Sequence, residues 1–227
     1  MAEPLAAPQM VVNSRMLYTS WMPADPEAAA ALLPEGGPTP AGPVYMNQYV
    51  VDRDEQTSGF GAYSLTYLGL DIAGMMDPGE IIPARYMLFY FNASPIMREY
   101  TKRQYDLPAE PGETVLEAGG GRVTATTSLD GTPTIRTVAA VGDDILMCFR
   151  GMLTYVRQKD GRNMAGNFPF IAEIADGFEV QSVEFLDPSH PVYALRPADP
   201  IQVVAEGSFY SPDDSFVYPG GVYEVSF

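Results

Sequence analysis

Few residues of this sequence belong to the types that carry chemistry on their own. There is one histidine, His190, between Ser189 and Pro191, and one cysteine, Cys148, inside the apolar stretch Asp144 to Phe149. One of each cannot build a multi-histidine or ordinary zinc site. A histidine in a Ser-His-Pro loop is also poorly placed to serve a Ser-His-Asp triad. Cys148 has no partner for an intramolecular disulfide and reads as a small buried hydrophobe rather than a nucleophile. Asp52, Asp54 and Glu55 offer oxygen ligands of the kind hard cations take, but the same run reads more simply as a solvated acidic loop. Gly119-Gly120-Gly121-Arg122 lacks the lysine of a phosphate-binding loop and reads as a hairpin turn. No nucleotide fingerprint remains, and neither a metal nor a cofactor is expected.

Composition narrows the partners. The chain has 227 residues, 46% of them hydrophobic and 19% charged, which suits one domain over 1–227 with a sizeable core. A formal net charge of −16 repels phosphate backbones and anionic headgroups, so neither nucleic acid nor a membrane is expected as a partner. The partner expected instead is a small molecule, and a small anion would need a local basic site. Any arginine facing the interior therefore matters more than the total charge. Met1 to Met10 has no basic n-region and no apolar run of export length, no stretch approaches the length of a membrane span, and a cytoplasmic protein is expected. The 12 methionines read as core filler that would also line an adaptable apolar cavity.

The elements that must position any site are mostly strands. Asp25-Pro26-Glu27 before Ala28 to Leu33 predicts a short capped helix that stops at Pro34. Val44 to Val51 and Ala62 to Leu70 read as strands joined through Thr57-Ser58-Gly59-Phe60-Gly61, and Arg85 to Asn92 as another. Ser94-Pro95 opens a second helix, which runs through Lys102-Arg103 before Pro108 closes the segment. Beyond it, Gly119-Gly120-Gly121, Asp130-Gly131 and Asp160-Gly161 separate strand-like runs as hairpin turns. Further strands are expected near Glu179 to Phe185, Ile201 to Phe209 and Val222 to Phe227. The expected class is mainly β (α+β), an antiparallel barrel or strongly curved sheet with a few short peripheral helices.

Four segments, in order, carry a resemblance: Asn13 to Arg15, the helix ending Leu32-Leu33-Pro34-Glu35, Thr57-Ser58-Gly59-Phe60-Gly61-Ala62-Tyr63, and Arg98-Glu99. Their order and spacing resemble the acetoacetate decarboxylase superfamily over most of the chain. The resemblance implies a cone-shaped β-barrel with an interior active site, assembled as a homo-oligomer. In that family two neighbouring lysines repel, one loses its proton, and the free amine forms an iminium with a ketone. Carried over position by position, the family arginine falls on Arg15. One strand glutamate falls on Leu65, beyond Tyr63, and an earlier one falls among Asn47, Gln48 and their neighbours to Val50. The two lysines fall on Tyr105 and Asp106. Neither carboxylate and neither amine is kept. A shifted register would instead bring Lys102-Arg103 to the lysine positions, and the only other lysine is Lys159.

Without the amine the expected chemistry is non-covalent. Arg15 would hold a carboxylate or an enolate oxygen, and Tyr105 or Asp106 would move a proton. The expected substrate is an apolar oxo-compound of polyketide-like type, undergoing isomerisation, cyclisation, dehydration or hydrolysis. Asn47, Gln48, Tyr63 and Leu65 would line its site. A non-catalytic small-molecule binding protein is the alternative from another class, and a decarboxylase or aldolase using Lys102 is a third.

Overall fold

A computed structural model describes residues 4–227, so the reading of Met1 to Met10 lies partly outside the described residues. Along the chain run β1 (Gln9–Trp21), α1 (Pro26–Ala30), β2 (Pro40–Val51), β3 (Tyr63–Met76), β4 (Pro83–Asn92) and α2 (Pro95–Tyr105). There follow β5 (Ala109–Pro111), β6 (Glu113–Gly119), β7 (Arg122–Leu129), β8 (Thr132–Ala140), β9 (Ile145–Lys159) and β10 (Arg162–Ala175). The last strands are β11 (Glu179–Phe185), β12 (Phe209–Tyr218) and β13 (Tyr223–Val225). The molecule is mainly β with two helices, as the sequence pattern predicts, and no described helix is long and apolar enough to cross a membrane.

The pairings close on themselves. β12, β1, β2, β3, β4, β9 and β10 are hydrogen-bonded in that order, and β10 pairs again with β12. All these pairs are antiparallel except β4 with β9, which is parallel over Arg85–Tyr155 and Tyr86–Val156. Closing the ring leaves its strands without a free edge. A second sheet, in the order β11-β8-β7-β6, packs on the outside of the ring. Leu17 and Val50 of the ring meet Leu116, Val123, Ala125 and Ala139 of that sheet. The seam is also threaded by threonines: Thr66 bonds Thr114 at 2.7 Å and Thr127 at 2.6 Å.

Local chemistry sets the helices and turns. Asp25 accepts the Ala28 amide at 2.9 Å and Pro26 opens α1, while Ser94 accepts from Met97 and Pro95 opens α2. Asp130-Gly131 and Asp160-Gly161 are turns with both residues at positive φ, the backbone that tight hairpins need. Two expectations change. Ile201 to Phe209 is not a strand; it holds a single bridge at Val203 and a short 3-10 turn, Ala205–Gly207, and the strand begins at Phe209. Ser211-Pro212-Asp213-Asp214 lies inside β12, where a bulge absorbs it. Cys148 is exposed rather than buried, as are most of its neighbours in the first part of β9.

Gly69 of β3 has no substitute. A β-carbon there would sit 1.9 Å from the Tyr86 carbonyl oxygen and 3.0 Å from the Tyr45 hydroxyl. Gly69→Ala is therefore expected to push β3 off β4 and cost about 3 kcal/mol or more of stability. A urea midpoint unchanged by this substitution would disprove the tight strand approach.

Candidate functional site

The interior of the ring holds a cavity of about 520 Å³, within the range of small-molecule sites. Strand alternation builds its wall, because every second side chain points inward. β1 contributes Tyr18, β3 contributes Tyr67 and Asp71, β4 contributes Arg85, and β9 contributes Tyr155. Gly69, between Tyr67 and Asp71, leaves room for the close Tyr86 carbonyl and the Tyr45 hydroxyl.

Bulges re-aim two further side chains. Leu68 lies opposite Phe89 but Gly69 opposite Met87, so Leu88 is extra on β4 and Tyr90, not Phe89, faces the cavity. On β12, Ser211 lies opposite Met16 and Asp214 opposite Ser14, so β12 carries one residue more than β1 over this interval. The inward alternation that starts at Phe209 then resumes at Asp214, Phe216 and Tyr218. Asp214 is 1% exposed, and neither carboxylate oxygen has a hydrogen-bond partner among the described residues. Burial, with Asp213 next to it, pushes its carboxyl up to about 8.

The polar groups form a directed chain. Arg85 and Asp71 face each other across β3 and β4 and are joined from Nε to Oδ1 at 3.1 Å, both side chains being under a tenth exposed. Burial pushes the Asp71 carboxyl up, and the Arg85 charge beside it pulls it back. Arg85 also donates Nη1–H to the Tyr18 hydroxyl, and its guanidinium lies 4.9 Å from the Tyr18 ring centroid and 5.0 Å from that of Tyr45. The hydroxyls of Tyr18 and Tyr155 are 3.0 Å apart, and Tyr155 donates to Tyr67 at 2.8 Å. Tyr155 has one proton, which goes to Tyr67, so Tyr18 must donate to Tyr155. Tyr67 also accepts from Asn47 Nδ2 at 2.9 Å. Both acceptor positions of the Tyr67 hydroxyl are then occupied, and its own proton is left to turn towards Tyr18 or towards the cavity. The chain runs Arg85 to Tyr18 to Tyr155 to Tyr67, begins at a cation and ends at a hydroxyl on the cavity wall. Burial raises all three phenols well into the protonated range, so the relay is neutral at ordinary pH.

The sequence matches no family model and no curated protein. Solved structures do match over nearly the whole chain. A structure of acetoacetate decarboxylase superposes with a TM-score of 0.67 at 12% identity, covering 98% of this chain and 91% of that one. The fold is that of acetoacetate decarboxylase. The enzyme of that name from Legionella pneumophila also gives 0.67, at 11% identity over 96% of this chain and 88% of its own. MppR, an enduracididine biosynthesis enzyme complexed with the condensation product of pyruvate and imidazole 4-carboxaldehyde, gives 0.62 at 15% identity over 98% and 90%.

Within the acetoacetate decarboxylase fold, the residues singled out from sequence are scattered. Arg15 does not line the cavity; it pairs with Asp52 at 2.7 Å and donates to the Leu116 carbonyl at 2.9 Å, at the seam between ring and outer sheet. Met16, Tyr18 and Ser20 face the cavity, so alternation turns Arg15, like Leu17, towards the outer sheet. Lys102 is exposed on α2, as Lys159 is beside its hairpin turn, so neither lysine lines the cavity. Asp106 caps α2 in the left-handed conformation, half-buried. Tyr105 is buried among Tyr100, Phe168 and Tyr218, and its hydroxyl accepts the Gly220 amide at 2.9 Å. Asn47 faces inward and holds Tyr67, whereas Gln48 points outward and donates to Thr127. Leu65 is fully buried, and Tyr63 bonds Tyr49 at 2.8 Å. His190 caps the short 3-10 turn Pro191–Leu195, its Nδ1 accepting the Val192 amide.

Sequence reasoning missed Arg85, Asp71, the tyrosine relay and Asp214. One signal was readable: Asp71 and Arg85 are lone charges in otherwise apolar strands, and opposite charges in neighbouring strands tend to pair. Asp214 had none, since its orientation depends on the bulge.

Asp214 makes stability depend on pH. Between the unfolded value near 4 and the folded value of about 8, the folded chain keeps a proton that the unfolded chain has released. Stability contributed by this group is therefore lost as pH rises through that window. Asp214→Asn should leave the melting temperature unchanged near pH 4 and raise it progressively relative to the parent up to about pH 9. Parallel melting curves for the two proteins across that range would show that Asp214 is not buried and unpaired.

Proposed function

We propose that this chain is an acetoacetate decarboxylase-like enzyme that works without a covalent imine, forming and redirecting an enol or enolate from an apolar carbonyl compound. The ring of strands would be the family's barrel, and the cavity its active site. The observation that carries this reading is the relay ending at the Tyr67 hydroxyl on the cavity wall, with a cation at the far end of the chain.

A substrate carbonyl oxygen would accept the Tyr67 proton as a hydrogen bond. As charge develops on that oxygen, each link back to Arg85 shortens in response, so stabilisation grows towards the transition state. Ionised Asp214 would take the proton from the carbon next to the carbonyl, and the electron pair of that C–H bond would move into the carbonyl to give the enolate. Returning the proton at another carbon isomerises the compound; expelling a β-hydroxyl with that proton dehydrates it. A carboxyl titrating at about 8 supplies both its acid and its base form near neutral pH. The fold likeness to enzymes of carbonyl chemistry supports the class of substrate.

Binding without turnover is the second reading, favoured by the aromatic and aliphatic character of most of the wall. The exposed Ile145, Leu146 and Met147 of β9 support the expected self-association.

Three measurements separate these readings. Incubation with acetoacetate or a 2-oxo acid followed by borohydride should give no covalent adduct, and trapping on Lys102 would restore imine chemistry. In a mass-spectrometric screen of enolisable ketones, Tyr67→Phe should slow turnover roughly a hundredfold and Asp214→Asn should abolish it, as expected for an oxyanion donor and a proton carrier. Arg15→Ala should change turnover less than about twofold, because its ion pair is partly exposed and outside the cavity. Ligand binding with no turnover in any of these proteins would assign the chain to the carrier class.

A further inference from the structure

The charge of the wall restricts what the cavity accepts. Four lining residues carry ionisable acid or base groups other than phenols: Asp71, Arg85, Glu206 and Asp214. Arg85 is the only lysine or arginine among them, and its charge is already matched by Asp71 at 3.1 Å, in a pair with under a tenth of either side chain exposed. One Nη1–H goes to Tyr18, and the rings of Tyr18 and Tyr45 lie 4.9 and 5.0 Å from its guanidinium carbon, while Nη2 makes no hydrogen bond to a described residue. Asp214 is buried with both oxygens free, and Glu206 is exposed on the short turn at the edge of the wall. The one cation of the wall is therefore already matched in charge, and the surplus is negative.

We propose that the cavity selects an uncharged ligand, an apolar ketone or phenol with one oxygen for Tyr67, and rejects carboxylates. This deepens the enol reading above and rests on it for the role of Tyr67. A carboxylate would have to leave water for a largely aromatic wall with no counter-charge, a transfer that costs several kcal/mol. It would also approach Asp214, whose ionised form repels it, through the field of a chain with a net charge of −16. A neutral oxygen pays neither cost. Tyr67 donates to it, and Asp214 in its protonated form is a second donor.

The test uses probes of one carbon skeleton near neutral pH: 2-tetralone and 2-naphthol against 2-naphthoate, with binding measured by calorimetry. The uncharged pair should bind, and 2-naphthoate should be weaker by roughly a hundredfold or undetectable. Asp71→Asn would release the Arg85 charge and should gain affinity for 2-naphthoate. Where that variant does not fold, the parent protein with the same three probes decides. Equal or tighter binding of 2-naphthoate, or no binding of the uncharged pair, overturns the proposal. Its failure is distinct from that of the enol reading: uncharged probes that bind while no ketone is turned over leave the selection standing and remove the catalysis.

Discussion

The buried contact between Arg85 and Asp71 governs the interior of this protein. Two opposite charges removed from water lose more hydration than their attraction returns unless the remaining donors and acceptors are also satisfied. The interior answers with phenols. Tyr18 takes one guanidinium N–H, and the rings of Tyr18 and Tyr45 lie over its face. Tyrosine suits this role because it buries a large apolar body while keeping one donor and acceptor at its tip. Phenylalanine would pack as well but leave the cation without a hydrogen-bond partner, and a second charged residue would require its own counter-ion. A tyrosine-lined ring is thus the consequence of placing one ion pair inside it.

The ring holds that network in place because its strands cannot slide independently. Each strand is hydrogen-bonded on both sides, so a slip of one residue in any pair would turn an inward tyrosine outward and break the relay. The bulges at Leu88 of β4 and in β12 are the exceptions that alternation allows. Each switches the phase of its strand once, bringing Tyr90 and Asp214 to the cavity where regular pairing would have turned them away. The outer sheet contributes by covering the apolar outer face of β1 and β2, so that both faces of these strands are fixed.

The parts that were legible in the sequence are those decided within a few residues. The Asp25 and Ser94 caps, the Asp-Gly hairpins and the runs Glu179 to Phe185 and Arg85 to Asn92 follow from local conformational preference, and the structure has them. The long-range parts were not. Counting from motifs led to Arg15 as the interior arginine, but which face a strand residue occupies depends on register and bulges. The β1 irregularities at Asn13 and Ser14, paired with the extra residue of β12, cannot be counted from one sequence. The same reason hid Asp214. Arg85 was visible as an arginine at the head of an apolar strand, yet its importance required knowing that Asp71 lies opposite.

The interior also leaves polar atoms without protein partners in a way that stability alone does not explain. Besides Asp214, the hydroxyls of Tyr45 and Tyr90 and the Asn47 Oδ1 are buried and unpaired among the described residues. Each such group costs roughly 1–3 kcal/mol relative to a satisfied or apolar replacement. Phenylalanine at Tyr45 or Tyr90 would remove that cost at almost the same volume. Of these, Tyr90 and Asp214 lie on the cavity wall, and Asn47 contacts it through Tyr67. Two of the residues that carry such atoms thus belong to the cavity wall, which itself is mostly aromatic and aliphatic. A ring optimised for folding alone would have closed this space with phenylalanine and leucine.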